Sequence, residues 1–186
     1  MRRRQVKPSA LGCGRVTEMT SCFFDTCALI PRYRTGKFTY RVNRLFAGRR
    51  SIHIAEISVV EVASALASIV RDNHLPDSEF RRMHAAFLTD LADGRIEVRP
   101  LSRQDMVKAT HLIELGGLTN RAGLKSADAL VAVSGRELAL ERGERISFYT
   151  KDWKLYRTLF EINAYRAAMR LNFLGPGRPG VPASTK

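Results

Sequence analysis

The sequence predicts an α/β protein with a mainly parallel sheet of four or five strands flanked by helices, and three observations predict it. The run Cys22, Phe23, Phe24 is apolar without alternation, as in a strand covered on both faces. Short β-like segments alternate with segments of helical periodicity along most of the chain, the signature of βαβ units. Each strand is followed almost at once by a helix start, which places the residues between them at the carboxyl edge of the sheet, where open α/β sheets bind ligands.

Taken in order, residues 1–20 carry Arg2, Arg3, Arg4 and Lys7 with few large apolar groups, and are expected to be a disordered basic extension. They contain no apolar core of a secretory signal, so a cytoplasmic location is expected. Met19 stands just before the first strand and is a second candidate start for the biological chain. The first strand ends on Asp25, and Ala28, Leu29 and Ile30 begin a helical segment. Phe38, Val42, Leu45 and Phe46 form the stripe of an amphipathic helix. Ser51 to Ile57 reads as the second strand, and Ser58 opens a helix to about Arg71 with Val62, Leu66, Ile69 and Val70 inward.

Pro76 and Asp77 start a further helix that Gly94 ends, with Phe80, Met83, Phe87, Leu88 and Leu91 at helical spacing. Arg95 to Leu101 is the third strand, and Ser102 caps a helix through Leu115 that Gly116 and Gly117 stop. A loop from Leu118 to Lys125 leads to a largely buried helix from Ser126 to Gly143. Arg145 to Thr150 is the fourth strand, followed by a short helix from about Lys154 to Phe160. A fifth strand is expected near Leu171 to Leu174, and the Pro- and Gly-rich residues 175–186 are expected to be a disordered tail.

Composition narrows the function. The chain has 186 residues, enough for one domain with a real core over 21–174, and no apolar run near the ~20 residues that span a bilayer. Its 31 Lys and Arg against 18 Asp and Glu give a net charge of +13, which favours a polyanionic partner. Cys13, Cys22 and Cys27 form no CxxC pair, and His53, His74, His84 and His111 are scattered, so neither a zinc site nor a disulfide framework is expected.

Four acids fall at equivalent places in this scheme: Asp25 after strand one, Glu61 in the first turn after strand two, Asp128 opening a buried helix, and Asp152 just past strand four. Each has a purely structural reading. Glu61 lies three residues after Ser58, the spacing of a capping box; Asp128 suits the positive end of its helix; Asp152 is a good N-cap. Brought to one rim, however, carboxylates about 5 Å apart repel by roughly 3 kcal/mol per pair at an effective dielectric of ~20, so a cation is needed. An all-oxygen donor set suits Mg²⁺ or Mn²⁺, the metals of phosphoryl chemistry.

With those residues in view, the chain resembles the PIN-domain ribonucleases, and among them the toxins of VapBC-type toxin-antitoxin pairs. The matching motifs are FFDTCALI around Asp25, SVVEVASAL around Glu61, LKSADALVAVSGREL around Asp128 and FYTKDW around Asp152, over roughly residues 21–165. The resemblance implies metal-dependent cleavage of single-stranded RNA, Asp25, Glu61, Asp128 and Asp152 as Mg²⁺ or Mn²⁺ ligands, and Thr150 supporting the site through its hydroxyl. It also implies an RNA substrate and an antitoxin partner, with homodimerisation left open. Cys27 departs from the family, which usually has Ser there, and a thiol is a weak donor. A haloacid-dehalogenase-like phosphatase would need a second Asp at that position. A receiver domain would need paired acids ahead of Asp25, and only Glu18 precedes it nearby. The rival of a different class is a PIN-like module that binds RNA or protein without cleaving it. Arg32, Arg34, Lys37, Arg121, Lys125, Lys151 and Lys154 are expected on loops or first turns at the acidic rim, as phosphate contacts.

Overall fold

The apolar run of the first strand becomes the centre of the sheet. In the computed structural model, which describes residues 21–48, 50–120 and 123–175, β1 spans Cys22–Phe24 and every residue in it is buried. Expectations for residues 1–20 and 176–186 and for Arg121 lie outside the described residues. β1 lies between β2 (Ile52–Ala55) and β4 (Ile146–Thr150), while β3 (Glu97–Arg99) and β5 (Met169–Phe173) form the edges. All pairings are parallel, in the order β3-β2-β1-β4-β5, with Phe23 in register with His53 on one side and Phe148 on the other.

Period-two alternation divides the core into two layers. Cys22 and Phe24 face one side of the sheet, where they meet Leu29, Val62, Leu66 and Phe87. Phe23 faces the other, with Leu112, Val131, Phe148, Leu155 and Leu159. The first side is covered by α1 (Thr26–Leu29), α2 (Thr39–Ala47), α3 (Glu56–Asp72) and α4 (Asp77–Ala92). The second is covered by α5 (Arg103–Asn120), α6 (Ser126–Arg142), α7 (Trp153–Glu161) and α8 (Asn163–Ala168). Parallel strands buried on both faces explain why the sequence of β1 does not alternate. Its aromatic rings stack across the sheet, Phe23 on Phe148 at 5.9 Å and Phe24 on Tyr149 at 4.9 Å between centroids. Full burial of each such ring contributes about 1.5–3 kcal/mol.

The strand order sets the position of the functional edge. From β1 the chain winds outward through β2 and β3, then returns to the other side of β1 for β4 and β5. The seam between β1 and β4 is therefore a topological switch point, and its carboxyl end is the crevice of an open α/β sheet. Asp25 follows β1 directly and Thr150 ends β4.

Several boundaries differ from the sequence expectation. β2 ends at Ala55, whose extended backbone (φ −73°, ψ 152°) serves as N-cap, so α3 begins at Glu56 and not at Ser58. Ser58 is buried with its hydroxyl unpaired, and the Ser58–Glu61 capping box that the spacing allows does not form. At Ser102 the expected cap does form: its N and Oγ both bond Asp105 Oδ2 at 2.9 Å, and Asp105 N returns a bond to Ser102 Oγ at 3.1 Å. α5 continues through Gly116 and Gly117 to Asn120. Gly116 serves close packing and not termination, since a Cβ there would lie 3.3 Å from Thr158 Cγ2 on α7. The fifth strand starts two residues before its expected place, and α8 was not foreseen. No helix among the described residues is long and apolar enough to cross a membrane.

Candidate active site

Asp25 is held at the switch point by its own backbone. Its N–H donates to Tyr149 O of β4 at 2.9 Å, and its C=O accepts from Ala28 and Leu29 N–H at 3.0 and 3.1 Å to start α1. The side chain, 4% exposed, is fixed through Oδ2, which accepts from Thr150 Oγ1 at 2.6 Å and lies 2.8 Å from Cys27 Sγ. Burial and then the charge of Asp25 push the Cys27 thiol well up, so it stays protonated and donates to the carboxylate. Cys27 Sγ also accepts from Lys151 N–H at 3.1 Å, which joins the start of α1 to the turn after β4. The thiol thus supports the Asp25 carboxylate together with Thr150.

Thr150 Oγ1 is engaged on both sides, donating to Asp25 and accepting from Asp152 N–H at 3.0 Å. Asp152 in turn caps α7, with Oδ1 accepting from Lys154 N–H at 2.7 Å and Leu155 N–H at 3.0 Å. Both bonds use Oδ1, so Oδ2 is the oxygen it has to offer a ligand. Glu61 sits in the second turn of α3, and its Oε2 accepts from Thr26 Oγ1 at 2.8 Å. Asp128 sits in the first turn of α6, whose N-cap is Lys125.

The four acids come from four separate elements and line one cleft of about 320 Å³, together with Cys27 and Lys125. Their proximity is visible in the acidities of Asp25, Glu61 and Asp128. Burial raises the Asp25 carboxyl, and Asp152 adds repulsion against the lowering bonds from Cys27 and Thr150. Burial also raises Glu61, with Asp25 adding repulsion while Thr26 and Lys125 oppose it. Asp128 is pushed up to about 6, by burial first and then by Asp25 and Asp152. Burial and mutual repulsion both disfavour the charged forms of these carboxyls, the pattern of a candidate functional site.

The donor set is all oxygen and fits a hard divalent ion, with Asp25, Glu61, Asp128 and Asp152 as the residues that would hold it. As placed, however, no three His, Cys, Asp or Glu side chains among the described residues converge closely enough to hold one ion.

The basic residues expected at the rim separate into groups. Lys125 lines the acidic cleft itself, and Lys154 is exposed in the first turn of α7. Arg34, Lys37 and Lys151 line a neighbouring cavity of about 350 Å³. Arg32 is a correction: its Nε and Nη2 grip Asp90 at 3.0 and 3.2 Å, its Nη1 bonds Asn43 at 3.0 Å, and it stacks over Phe46 at 4.6 Å. Asp90 is buried and shares this pairing with the Tyr33 hydroxyl and Arg95, so Arg32 is engaged on the core side of α4 and is not a free cation at the acidic rim. Sequence reasoning missed Thr26 as the orienter of Glu61, although its place beside Asp25 in the Asp-Thr pair was a signal.

No family model matches the chain, and no curated protein matches it by sequence. Among solved structures, the chain is similar to VapBC2 from Rickettsia felis, determined bound to a DNA fragment from their promoter. The TM-score is 0.53 at 12% sequence identity, covering 82% of this chain and 98% of that chain. At that identity the likeness is one of fold, and it agrees with the five-stranded parallel α/β architecture, consistent with a PIN-like domain.

Proposed function

We propose that this protein is a metal-dependent endoribonuclease that hydrolyses phosphodiester bonds of single-stranded RNA, and that it is the cytoplasmic toxin of a toxin-antitoxin pair. The observation that carries the reading is the gathering of Asp25, Glu61, Asp128 and Asp152 on one cleft at the switch point of the sheet. The fold likeness to VapBC2 supports the toxin role and an antitoxin partner. A bound Mg²⁺ or Mn²⁺ would activate water and offset charge at the scissile phosphate. Asp25 is the anchor of the site, since Thr150 and Cys27 fix its Oδ2 and the Thr26 backbone N–H also supports its carboxylate. Thr26 orients Glu61, the cap of α7 orients Asp152, and Lys125 supplies positive charge where the RNA backbone would approach.

The test is incubation of the full chain and Asp25→Asn with labelled single-stranded RNA in Mg²⁺, in Mn²⁺ and in EDTA. Cleavage by the parent with metal alone, lost in the variant, is the expected result. Cutting that survives EDTA or the variant would refute it. The second reading, a non-catalytic RNA- or protein-binding module, is favoured by one observation, the lack of convergence of three acids on one point. It predicts RNA binding without cleavage under every metal condition. A small neighbouring reading frame encoding a DNA-binding protein that copurifies with this chain would test the antitoxin partnership.

A further inference from the structure

The cavity beside the acidic cleft has a composition of its own. Ile30, Pro31 and Ile69 give it an apolar lining, to which Phe38 adds an aromatic residue. Three cations, Arg34, Lys37 and Lys151, surround it, and among the described residues no acidic side chain lines it. Lys151 Nζ lies 5.6 Å from the centroid of the Phe38 ring. At about 350 Å³ the cavity is of the size that holds a small ligand.

Its position relative to the acids is fixed by shared elements. Lys151 and Asp152 are adjacent in the chain, and one lines this cavity while the other lines the cleft. On α3, Ala65 lines the cleft and Ile69, one turn further, lines the cavity. Cys27 in α1 lines the cleft and Ile30, just past that helix, lines the cavity. The two hollows thus lie side by side, about one helical turn, ~5 Å, apart.

We propose that this cavity is a nucleotide subsite: it takes the base next to the scissile phosphate of single-stranded RNA against the Phe38 ring and holds the adjoining phosphate with Arg34, Lys37 and Lys151. The proposal rests on the ribonuclease reading and names the feature that seats the nucleotide beside the cut. An aromatic residue with an apolar lining suits a π surface, and the ring of cations suits the phosphate attached to it. The neighbouring acids repel phosphate unless a cation is present, so the strand needs a positively charged foothold beside them.

The experiment measures binding of a labelled single-stranded RNA in EDTA, where no cutting occurs, to the full chain and to Phe38→Ala, Phe38→Leu and Phe38→Trp. A parallel set of strands carries one abasic site at successive positions. Phe38→Ala and Phe38→Leu should weaken the intact strand about 10-fold, and Phe38→Trp should restore it. An abasic site at one position should weaken binding to the parent by a similar factor, yet cause no further loss in Phe38→Leu, because both changes remove the same stack. Phe38→Leu keeps the apolar volume, so a loss of fold in Phe38→Ala does not decide the outcome. Equal binding of intact and abasic strands by the parent, or losses that multiply in the variant, would overturn the subsite while leaving the nuclease reading to its cleavage assay. A parent that cuts no RNA with metal but shows the coupled loss would keep the subsite and overturn the nuclease reading. A parent that binds no RNA, or binds an acidic peptide there in its place, would overturn the subsite.

Discussion

Asp128→Asn should make the metal-free protein more stable and the metal-loaded protein less so. The folded state raises the Asp128 carboxyl from 3.8 to about 6, through burial and the repulsion of Asp25 and Asp152. A raised acid contributes stability that is complete below its unfolded value and is lost as pH climbs through the folded one. The parent in EDTA therefore loses stability between about pH 4 and pH 7, and the asparagine variant does not. Two pKa units correspond to about 3 kcal/mol, and the half-buried position reduces that to about 1–2 kcal/mol through solvent screening. Against it stands the lost attraction between a first-turn carboxylate and the positive end of α6, roughly 0.3–1 kcal/mol. The balance is a gain of about 1 kcal/mol at pH 8, a rise of ~2–4 °C in melting temperature for a domain of this size. At pH 4.5 the gain should vanish, because the folded parent is already protonated there. In saturating Mn²⁺ the order should invert, since the parent binds the ion through one more carboxylate and gains stability by mass action. Thermal melts of parent and variant at both pH values, each in EDTA and in Mn²⁺, read all of this. A variant that melts lower in EDTA at pH 8, or a difference that ignores pH, would show that Asp128 serves its helix and not a cation.

Other perturbations follow from single contacts. Thr150→Val removes the donor to Asp25 and the acceptor of Asp152 N–H, which should cost about 1–3 kcal/mol in urea unfolding and abolish RNA cleavage, while Thr150→Ser retains both. Arg32→Ala leaves buried Asp90 with the Tyr33 hydroxyl at 3.1 Å and the Arg95 guanidinium at 3.6 Å, and should cost about 1–3 kcal/mol, with the salt dependence of RNA binding unchanged; a flattened slope would restore Arg32 to the RNA interface. Gly135→Ala would set a Cβ 3.0 Å from Phe148 Cδ2 and 3.1 Å from Met169 Sδ, so a loss of about 1–3 kcal/mol is expected in denaturant melts. Lys37→Met with Lys154→Met should lower the slope of log affinity against log salt by about 1.4, two contacts on a single strand, and an unchanged slope would assign those charges to another partner.

The architecture was legible wherever burial imposes a pattern. β1, the helical stripes of α3 and α4 and the burial of α6 all follow from which side chains must leave water, and the parallel sheet follows from their alternation. Boundaries were less legible, because they depend on contacts between distant segments. Gly116 reads locally as a helix stop, yet the residue that explains it is Thr158, on another helix. Arg32 reads as a free cation beside a cleft, and only the folded chain brings it to Asp90 and Asn43. α8 is too short to carry a periodicity of its own, with Tyr165 as its buried anchor.

The acids show where the sequence reaches its limit. Glu61, Asp128 and Asp152 each admitted a helix-capping explanation, and the three resolve differently. At Glu61 the cap is absent, because α3 starts at Glu56 and the carboxylate is turned to Thr26 beside Asp25. At Asp128 no side-chain cap forms at the start of α6, and its pKa is raised by burial first and then by the charges of Asp25 and Asp152. At Asp152 the cap is real, yet it occupies Oδ1 alone. Capping and ligation are therefore not rival explanations at that residue: the cap fixes the carboxylate, and a fixed carboxylate loses less freedom when a cation arrives. Sequence spacing can place an acid at a helix start, but it cannot say which of its two oxygens the helix uses. Asp152→Asn separates the two roles, since an asparagine carbonyl can still cap α7 but carries no charge for a cation. It should leave the melting temperature in EDTA within about 2 °C of the parent and remove most of the stabilisation that Mn²⁺ confers. A variant that keeps the full Mn²⁺ shift would mean that Asp152 belongs to the helix alone and that the cation, where it binds, is held by the other three acids.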